Sequence, residues 1–249
     1  VISGQPIAWR LEFFDTLGST SDLCIERAKA GAQAGLAVLA LQQTAGRGSR
    51  GRQWQAPPGN LNFSVLLRPG LPAAQAGIFP LLAGIAVADA VCAFLPETAA
   101  PVLKWPNDVL LQGGKLAGIL IDAAQLGQNL DWLVIGIGIN LLHAPEIPGR
   151  RTATLKAHGG EATPEAAARI LLHYLDEWLQ RLQVSGPAAI VEAWQQRAHP
   201  LGTELAVQTA ENSVTGRYAG LSPQGELLLN VEDRIERFST GEVFLRVRG

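Results

Sequence analysis

A chain of 249 residues, 47% hydrophobic and 17% charged, is long enough for one large core with a small domain appended. Its 20 Lys+Arg against 22 Asp+Glu leave a net charge of −2, which excludes a general basic excess for gripping a nucleic-acid backbone. Two cysteines, Cys24 and Cys92, exclude a disulfide framework or a cysteine metal cluster and read as free, buried thiols of a reducing compartment. Val1 to Phe14 has no basic segment leading into an apolar run, so the expected location is cytoplasmic.

In chain order, Ser19 to Lys29 has helical spacing, with Ser19 or Thr20 as N-cap and Leu23, Ile25 and Ala28 among its inward residues. Leu36 to Leu41 reads as a short apolar strand. Leu61 to Leu67 is another, after the turn Pro57-Pro58-Gly59-Asn60. Ala76 to Leu95 is nearly all apolar and about as long as a membrane span, roughly 20 residues. It contains Pro80 and Asp89, however, and no Lys/Arg cluster flanks it, so it reads as a core helix and no membrane is expected. Val102 to Trp105 is a strand, and Val109–Leu111 and Leu116–Ile121 form a hairpin around Gln112-Gly113-Gly114. Leu133 to Ile139 ends the strands of this part. Helices follow over Pro164–Leu182 and Pro187–Ala198.

Strands outnumber helices and pair as hairpins, which points to an α+β fold with a mixed or antiparallel sheet flanked by helices. From Gly202 the texture changes to five short runs (Leu205–Gln208, Val214–Tyr218, Leu227–Val231, Ile235–Phe238, Val243–Val247), which reads as a small SH3-like β-barrel. The expected domains are 1–200 and 201–249, with the boundary near His199-Pro200-Leu201-Gly202.

The chemistry concentrates in residues 46–54, Gly46-Arg47-Gly48-Ser49-Arg50-Gly51-Arg52-Gln53-Trp54. Glycine lets a backbone lie against a ligand, and arginine presents a rigid fork of donors to phosphate oxygens. After an apolar strand this reads as an anion clamp; it lacks the Gly-Lys-Ser/Thr ending of a Walker loop and the spacing of a dinucleotide fingerprint. A solvated loop touching RNA is the bland alternative, weakened by the net charge. Three further clusters fall on strand ends: Lys104-Trp105-Pro106-Asn107-Asp108, Lys115-Leu116-Ala117-Gly118-Ile119-Leu120 and Gly136-Ile137-Gly138-Ile139-Asn140. Singly, each has an ordinary structural explanation. The four histidines (His143, His158, His173, His199) have no metal-ligand spacing.

These four ordered blocks resemble biotin protein ligase, and the resemblance runs over essentially the whole chain. It implies a fold of the class II synthetase and biotin/lipoate ligase type. It also implies ATP and biotin as substrates with Mg²⁺, and an acceptor lysine on the biotin carboxyl carrier domain of a carboxylase. Only about eighteen residues precede Ser19-Thr20, too few for the winged helix-turn-helix of bifunctional members, so a monofunctional enzyme without DNA binding is expected. Biotin is first joined to the α-phosphate of ATP, and fixed cations are the main requirement of that step.

By resemblance, Lys115 holds the biotin carboxylate and α-phosphate oxygens, and Arg47 places loop and substrate. Ser19, Thr20, Ser21, Gln43, Gly48, Ser49 and Gly118 join them around biotin. Arg50, Arg52, Trp54, Asn107 and Asn140 belong to the ATP and adenylate side. Asp108 orients or deprotonates the incoming lysine, or helps with Mg²⁺; the metal ligands are not assigned. Sheet edges leave a homodimer possible. A lipoate-type ligase and a non-enzymatic biotin sensor are the competing readings. Two departures stand out: Ser21 where many members have Asn, and Ser49 where many have a second Arg, so that the clamp loses a charge.

Overall fold

The computed structural model describes residues 7–209 and 212–245; Arg246 and Val247, the end of the last expected strand, lie outside them. It begins with a strand that periodicity does not betray. β1 (Arg10–Leu17) places Arg10, Glu12 and Asp15 along a sheet edge, so its apolar alternation is diluted by charge. α1 (Thr20–Lys29) follows and leads into β2 (Leu36–Gln43), which pairs parallel with β1. Then come β3 (Leu61–Leu67), α2 (Ile78–Cys92), β4 (Pro101–Lys104), β5 (Asp108–Leu111), β6 (Gly114–Leu126) and β7 (Asn129–Ile139). The seven strands form one mixed sheet in the order β1-β2-β3-β7-β6-β5-β4, antiparallel except for its first pair. At the β5–β6 hairpin, Gln112 and Gly113 both take positive φ (47° and 77°), the backbone that a two-residue turn needs to follow the strand twist.

Alternation splits the sheet's two faces. Leu39, Phe63, Val65, Ile135 and Ile137 turn toward α2 and α3 (Pro164–Gln195) and form the main core with Phe79, Leu82, Ile85, Leu171 and Leu175. On the other face α1 packs Cys24 and Ala28 against Val38, Leu66 and Val134. α3 is two helices end to end: Gly186 at φ 73° breaks it, and Pro187 restarts it, as the two separate helical patterns predict.

With the turn before it, α2 makes a segment (Ala73–Cys92) long and apolar enough to cross a membrane, yet here it is a core helix packed on the sheet beside α3. Its Asp89 is not an isolated charge. Trp178 Nε1 donates to Asp89 at 2.8 Å and Arg197 Nη2 at 3.1 Å, which ties α2 to α3 and to the segment that follows it. The two thiols differ from the expectation that both are buried. Cys24 is enclosed, and burial, with Glu12 second, pushes its thiol up to about 12. Cys92, the last residue of α2, is exposed, although Ala90 and Val91 just before it are buried.

β8 (Glu204–Gln208), β9 (Ser213–Leu221), β10 (Leu227–Val231), β11 (Arg234–Phe238) and β12 (Glu242–Leu245) form a second, wholly antiparallel sheet in the order β11-β10-β9-β8-β12. Among the described residues no strand pairing closes β11 onto β12. This sheet docks on the first domain through side-chain to backbone bonds: Trp105 Nε1 donates to Gly225 O (2.9 Å), and Lys104 Nζ to Val243 O (3.2 Å).

Candidate active site

Strand register builds the floor of the site. One rung across the sheet reads Ala40, Asn62, Gly138, Gly118 and Asp108, and the neighbouring rung carries Val38, Ser64, Gly136 and Leu120. Small and polar residues therefore meet on the face opposite α2, where larger side chains would fill the space. Asn62 and Ser64 escaped the sequence reading. Their signal was a polar pair two residues apart in an otherwise apolar strand, meaningful only once the glycines opposite them are known.

The N-terminus of α1 closes one end of this floor with a hydrogen-bonded set. Gln43 Oε1 accepts from Thr20 N (2.8 Å) and Thr20 Oγ1 (3.1 Å), and Gln43 Nε2 donates to Asn62 Oδ1 (3.2 Å). Ser64 Oγ bonds Thr20 Oγ1 (2.8 Å) and Ser21 Oγ (3.0 Å). Thr20, Ser21, Gln43, Arg47, Gly48, Ser49, Lys115 and Gly118 all line this slot, as expected of them together. Ser19 does not line it. Its Oγ accepts from Asp22 N at 3.3 Å and caps α1. A Ser19→Ala variant should lose about 1 kcal/mol of stability by urea titration, with small-ligand affinity at the slot unchanged; a large affinity loss would return Ser19 to the binding set.

Residues 46–54 fold back over the slot as a tight hairpin. Gly48 N donates to Arg52 O (2.8 Å) and Trp54 N to Gly46 O (2.9 Å), and the tip turns through Arg50 (φ 59°) and Gly51 (φ 71°). A β-carbon at Gly46 would stand 2.5 Å from Trp54 O, so the two arms could not close on any other residue. The Trp54 ring lies on Gly138, where an added β-carbon would be 2.2 Å from it, and leaves a slot of only about 40 Å³. Beyond Trp54 opens a cleft of about 540 Å³, lined among others by Gly48, Ser49, Arg52, Lys115, Asn140 and Arg150. This is the size of an ordinary small-molecule site. Trp54 Nε1, over Gly138, and Asn140 Oδ1, in the cleft wall, are buried without a protein partner, one donor and one acceptor left for a polar ligand to engage.

Lys115 stands where slot and cleft meet. A β-bulge between Val109 and Leu110 leaves an extra residue in β6 and brings the Lys115 ammonium beside Gly118, 5.8 Å from the Trp54 ring centroid. Its backbone is gripped on both sides: Lys115 N donates to Arg151 O, and Lys115 O accepts from Ala153 N and from Asn140 Nδ2 (2.9, 2.9 and 3.2 Å). Its ammonium meets Asp108 Oδ1 at 2.5 Å, and Lys104 meets Asp108 Oδ2 at 2.9 Å. Burial alone would raise the Asp108 carboxyl, but Lys115 and Lys104 outweigh it and hold the group below its ordinary value.

The loop arginines spread outward. Arg47 is held by Asp22 (3.0 Å) and by both oxygens of Asp122 (2.9 and 3.1 Å), so its guanidinium fastens the loop to α1 and β6. Arg52 bends back to Ser49, its Nη2 donating to Ser49 Oγ at 3.1 Å. Arg50 and Arg52 both reach Glu242 of β12, at 3.2 and 3.0 Å, and Arg150 reaches the same carboxylate at 2.5 Å. Burial works against the Glu242 charge, but Arg52, Arg150 and Arg50 together hold its carboxyl low. Asn107, expected on the adenylate side, donates to Ile119 O (2.6 Å) and borders the slot instead. Glu242 and Arg150 were not singled out in the sequence, since no local spacing joins positions so far apart.

The comparisons with known proteins agree with this geometry. Residues 14–140 match the model of the Biotin/lipoate A/B protein ligase family, and residues 201–246 that of the Biotin protein ligase C terminal domain. The chain is 35% identical to a biotin--[acetyl-CoA-carboxylase] ligase of Paracoccus denitrificans, over 83% of this chain and 89% of the relative. It is 34% identical to the Mycobacterium tuberculosis protein of that name, over 96% and 91%. Among solved structures it is similar to the biotin protein ligase from Aquifex aeolicus in complex with biotin and ATP, with a TM-score of 0.78, 29% identity, and 95% of this chain and 98% of that one covered.

Proposed function

The chain belongs to the Biotin/lipoate A/B protein ligase family, and on that premise we propose that it is an ATP-dependent biotin protein ligase. A biotin carboxylate oxygen attacks the α-phosphorus of ATP, the bond to the bridging oxygen breaks, and pyrophosphate leaves. The amine of an acceptor lysine on a biotin carboxyl carrier domain then attacks the acyl carbon of biotinyl-5′-AMP, and AMP leaves as the amide forms. The observation that carries this reading is the place of Lys115, at the junction of a polar-ended slot and a nucleotide-sized cleft.

The slot supplies the hydrogen-bonding that a ureido ring needs, through Thr20, Ser21 and Gln43 around Ser64. Lys115 bears on the two anions that react, and a fixed cation there lowers the cost of bringing them together. Asn140 Oδ1 faces the cleft as an acceptor suited to an amino group of adenine. Mg²⁺, bound with the nucleotide, would shield the charge of its triphosphate. We place the enzyme in the cytoplasm, in keeping with two free thiols.

Biotin-dependent exchange of pyrophosphate into ATP tests the reading, with lipoate as the control. Exchange with biotin only is the expected result; exchange with lipoate, or none with either, overturns it. Ser49 adds a second expectation. The loop over the slot carries serine where a further cation would hold the adenylate, so biotinyl-5′-AMP should escape several-fold faster than from a Ser49→Arg variant. Equal escape rates in rapid-quench experiments would mean that Arg52, drawn back onto Ser49, replaces the missing charge.

A further inference from the structure

We infer that Arg150 binds the nucleotide's polyphosphate, as a cation supplied from outside the Gly/Arg loop. This rests on the adenylation reading above and adds a residue to it. Three features of the structure carry it.

The first is placement. Residues 151–153 lie beside the start of β6, with Thr152 bridged in parallel to Lys115, Lys115 N bonded to Arg151 O, and Ala153 N bonded to Lys115 O. Arg150 is thereby held next to the backbone of the lysine at the reaction centre, and it lines the cleft together with Lys115, Arg52 and Asn140.

The second is charge. Arg50, Arg52 and Arg150 converge on the single carboxylate of Glu242, which leaves two positive charges uncompensated within that cluster. Glu146, also in the cleft wall, takes part in no ion pair with them among the described residues. Guanidinium groups crowded in this way repel one another until a second anion arrives, and their side chains are 41%, 42% and 31% exposed, open to one.

The third is orientation. The Arg150 guanidinium is stacked 6.0 Å from the Phe244 ring centroid and tied to Glu242, so β12 presents it to the cleft in a fixed direction. With the carboxylate of biotin at Lys115 and adenine toward Asn140, the β- and γ-phosphates are the part of the substrate left to meet this cluster. The same cations would hold the leaving pyrophosphate.

Steady-state pyrophosphate exchange on the full chain, with Arg150→Gln and Arg150→Lys variants, tests the assignment. Arg150→Gln should raise KM for ATP about tenfold, the scale of one charged hydrogen bond, with KM for biotin unchanged. Arg150→Lys should recover part of that loss. Titration calorimetry with α,β-methylene-ATP should show the same order of affinities. An arginine that only joined the two domains would lower melting temperature and leave the ratio of the two KM values as in the parent protein. That result, or an unchanged ATP affinity in both variants, overturns the assignment while leaving biotin-dependent exchange intact. Absence of exchange in the parent chain would instead overturn the ligase reading itself.

Discussion

Lys115→Ala should lower biotin-dependent pyrophosphate exchange by on the order of 10²–10³-fold, the usual cost of removing one positioned donor from a site where charge develops. The loss should fall on kcat, because on the proposed reading the ammonium serves the junction at which carboxylate and α-phosphate meet, while Thr20, Ser21 and Gln43 at the other end of the slot would hold biotin's ring. Biotin affinity in the absence of ATP is therefore expected to change little. Fluorescence of Trp54, whose ring lies 5.8 Å from the ammonium, offers a direct report of that binding. If the variant binds biotin poorly and turns over at the normal rate once saturated, Lys115 is a ground-state anchor and not the cation of the reaction.

Much of the frame was legible in the residues. The Gln112-Gly113 hairpin, the restart of helix at Pro187 and the core nature of the helix through Asp89 each follow from local chemistry, and the structure has all three. β1 was not legible, because an edge strand with Arg10, Glu12 and Asp15 need not look apolar. Nor could the exposure of Cys92 be seen, since at the end of α2 it depends on tertiary packing, which covers Val91 and not its neighbour.

The site divides in a similar way. Residues adjacent in a motif, such as Gly46–Trp54 or Lys104–Asp108, announce themselves through composition. The parts contributed by register do not: Asn62 and Ser64 matter because Gly138 and Gly136 lie opposite them across β3 and β7. Contacts between domains are more hidden still. Arg52 and Glu242 are 190 positions apart, and neither has a neighbour that hints at the other. Motif reading names residues without their partners. Arg47 was expected to place loop and substrate; its guanidinium is engaged by two carboxylates, Asp22 and Asp122, while the residue lines the slot.

For Asp108, whose role the residues alone left open, the geometry favours an anchor for Lys115 and Lys104. As a general base for the acceptor amine it would need a pKa near the working pH, yet Lys115 and Lys104 hold its carboxyl below the ordinary 3.8. Because the folded-state value is depressed, the stabilisation from this pair is present above the unfolded carboxyl's pKa. It is lost only as pH falls through the lower folded value, so at neutral pH Asp108 is a weak base and a firm anchor. Its two oxygens divide the work. Oδ1 fixes the Lys115 ammonium, and Oδ2 fixes Lys104, which in turn bonds Val243 of the second domain. Asp108→Asn should therefore lower adenylation itself about 100-fold, the cost of letting a reacting group drift by an ångström, in an assay without any acceptor protein. It should also destabilise the fold, by up to about 3 kcal/mol, since two partly buried lysines lose their counter-charge. The assay thus belongs at a temperature where circular dichroism shows the variant folded. A base acting only on the acceptor lysine predicts the reverse: normal exchange and normal biotinyl-5′-AMP formation, with transfer alone abolished.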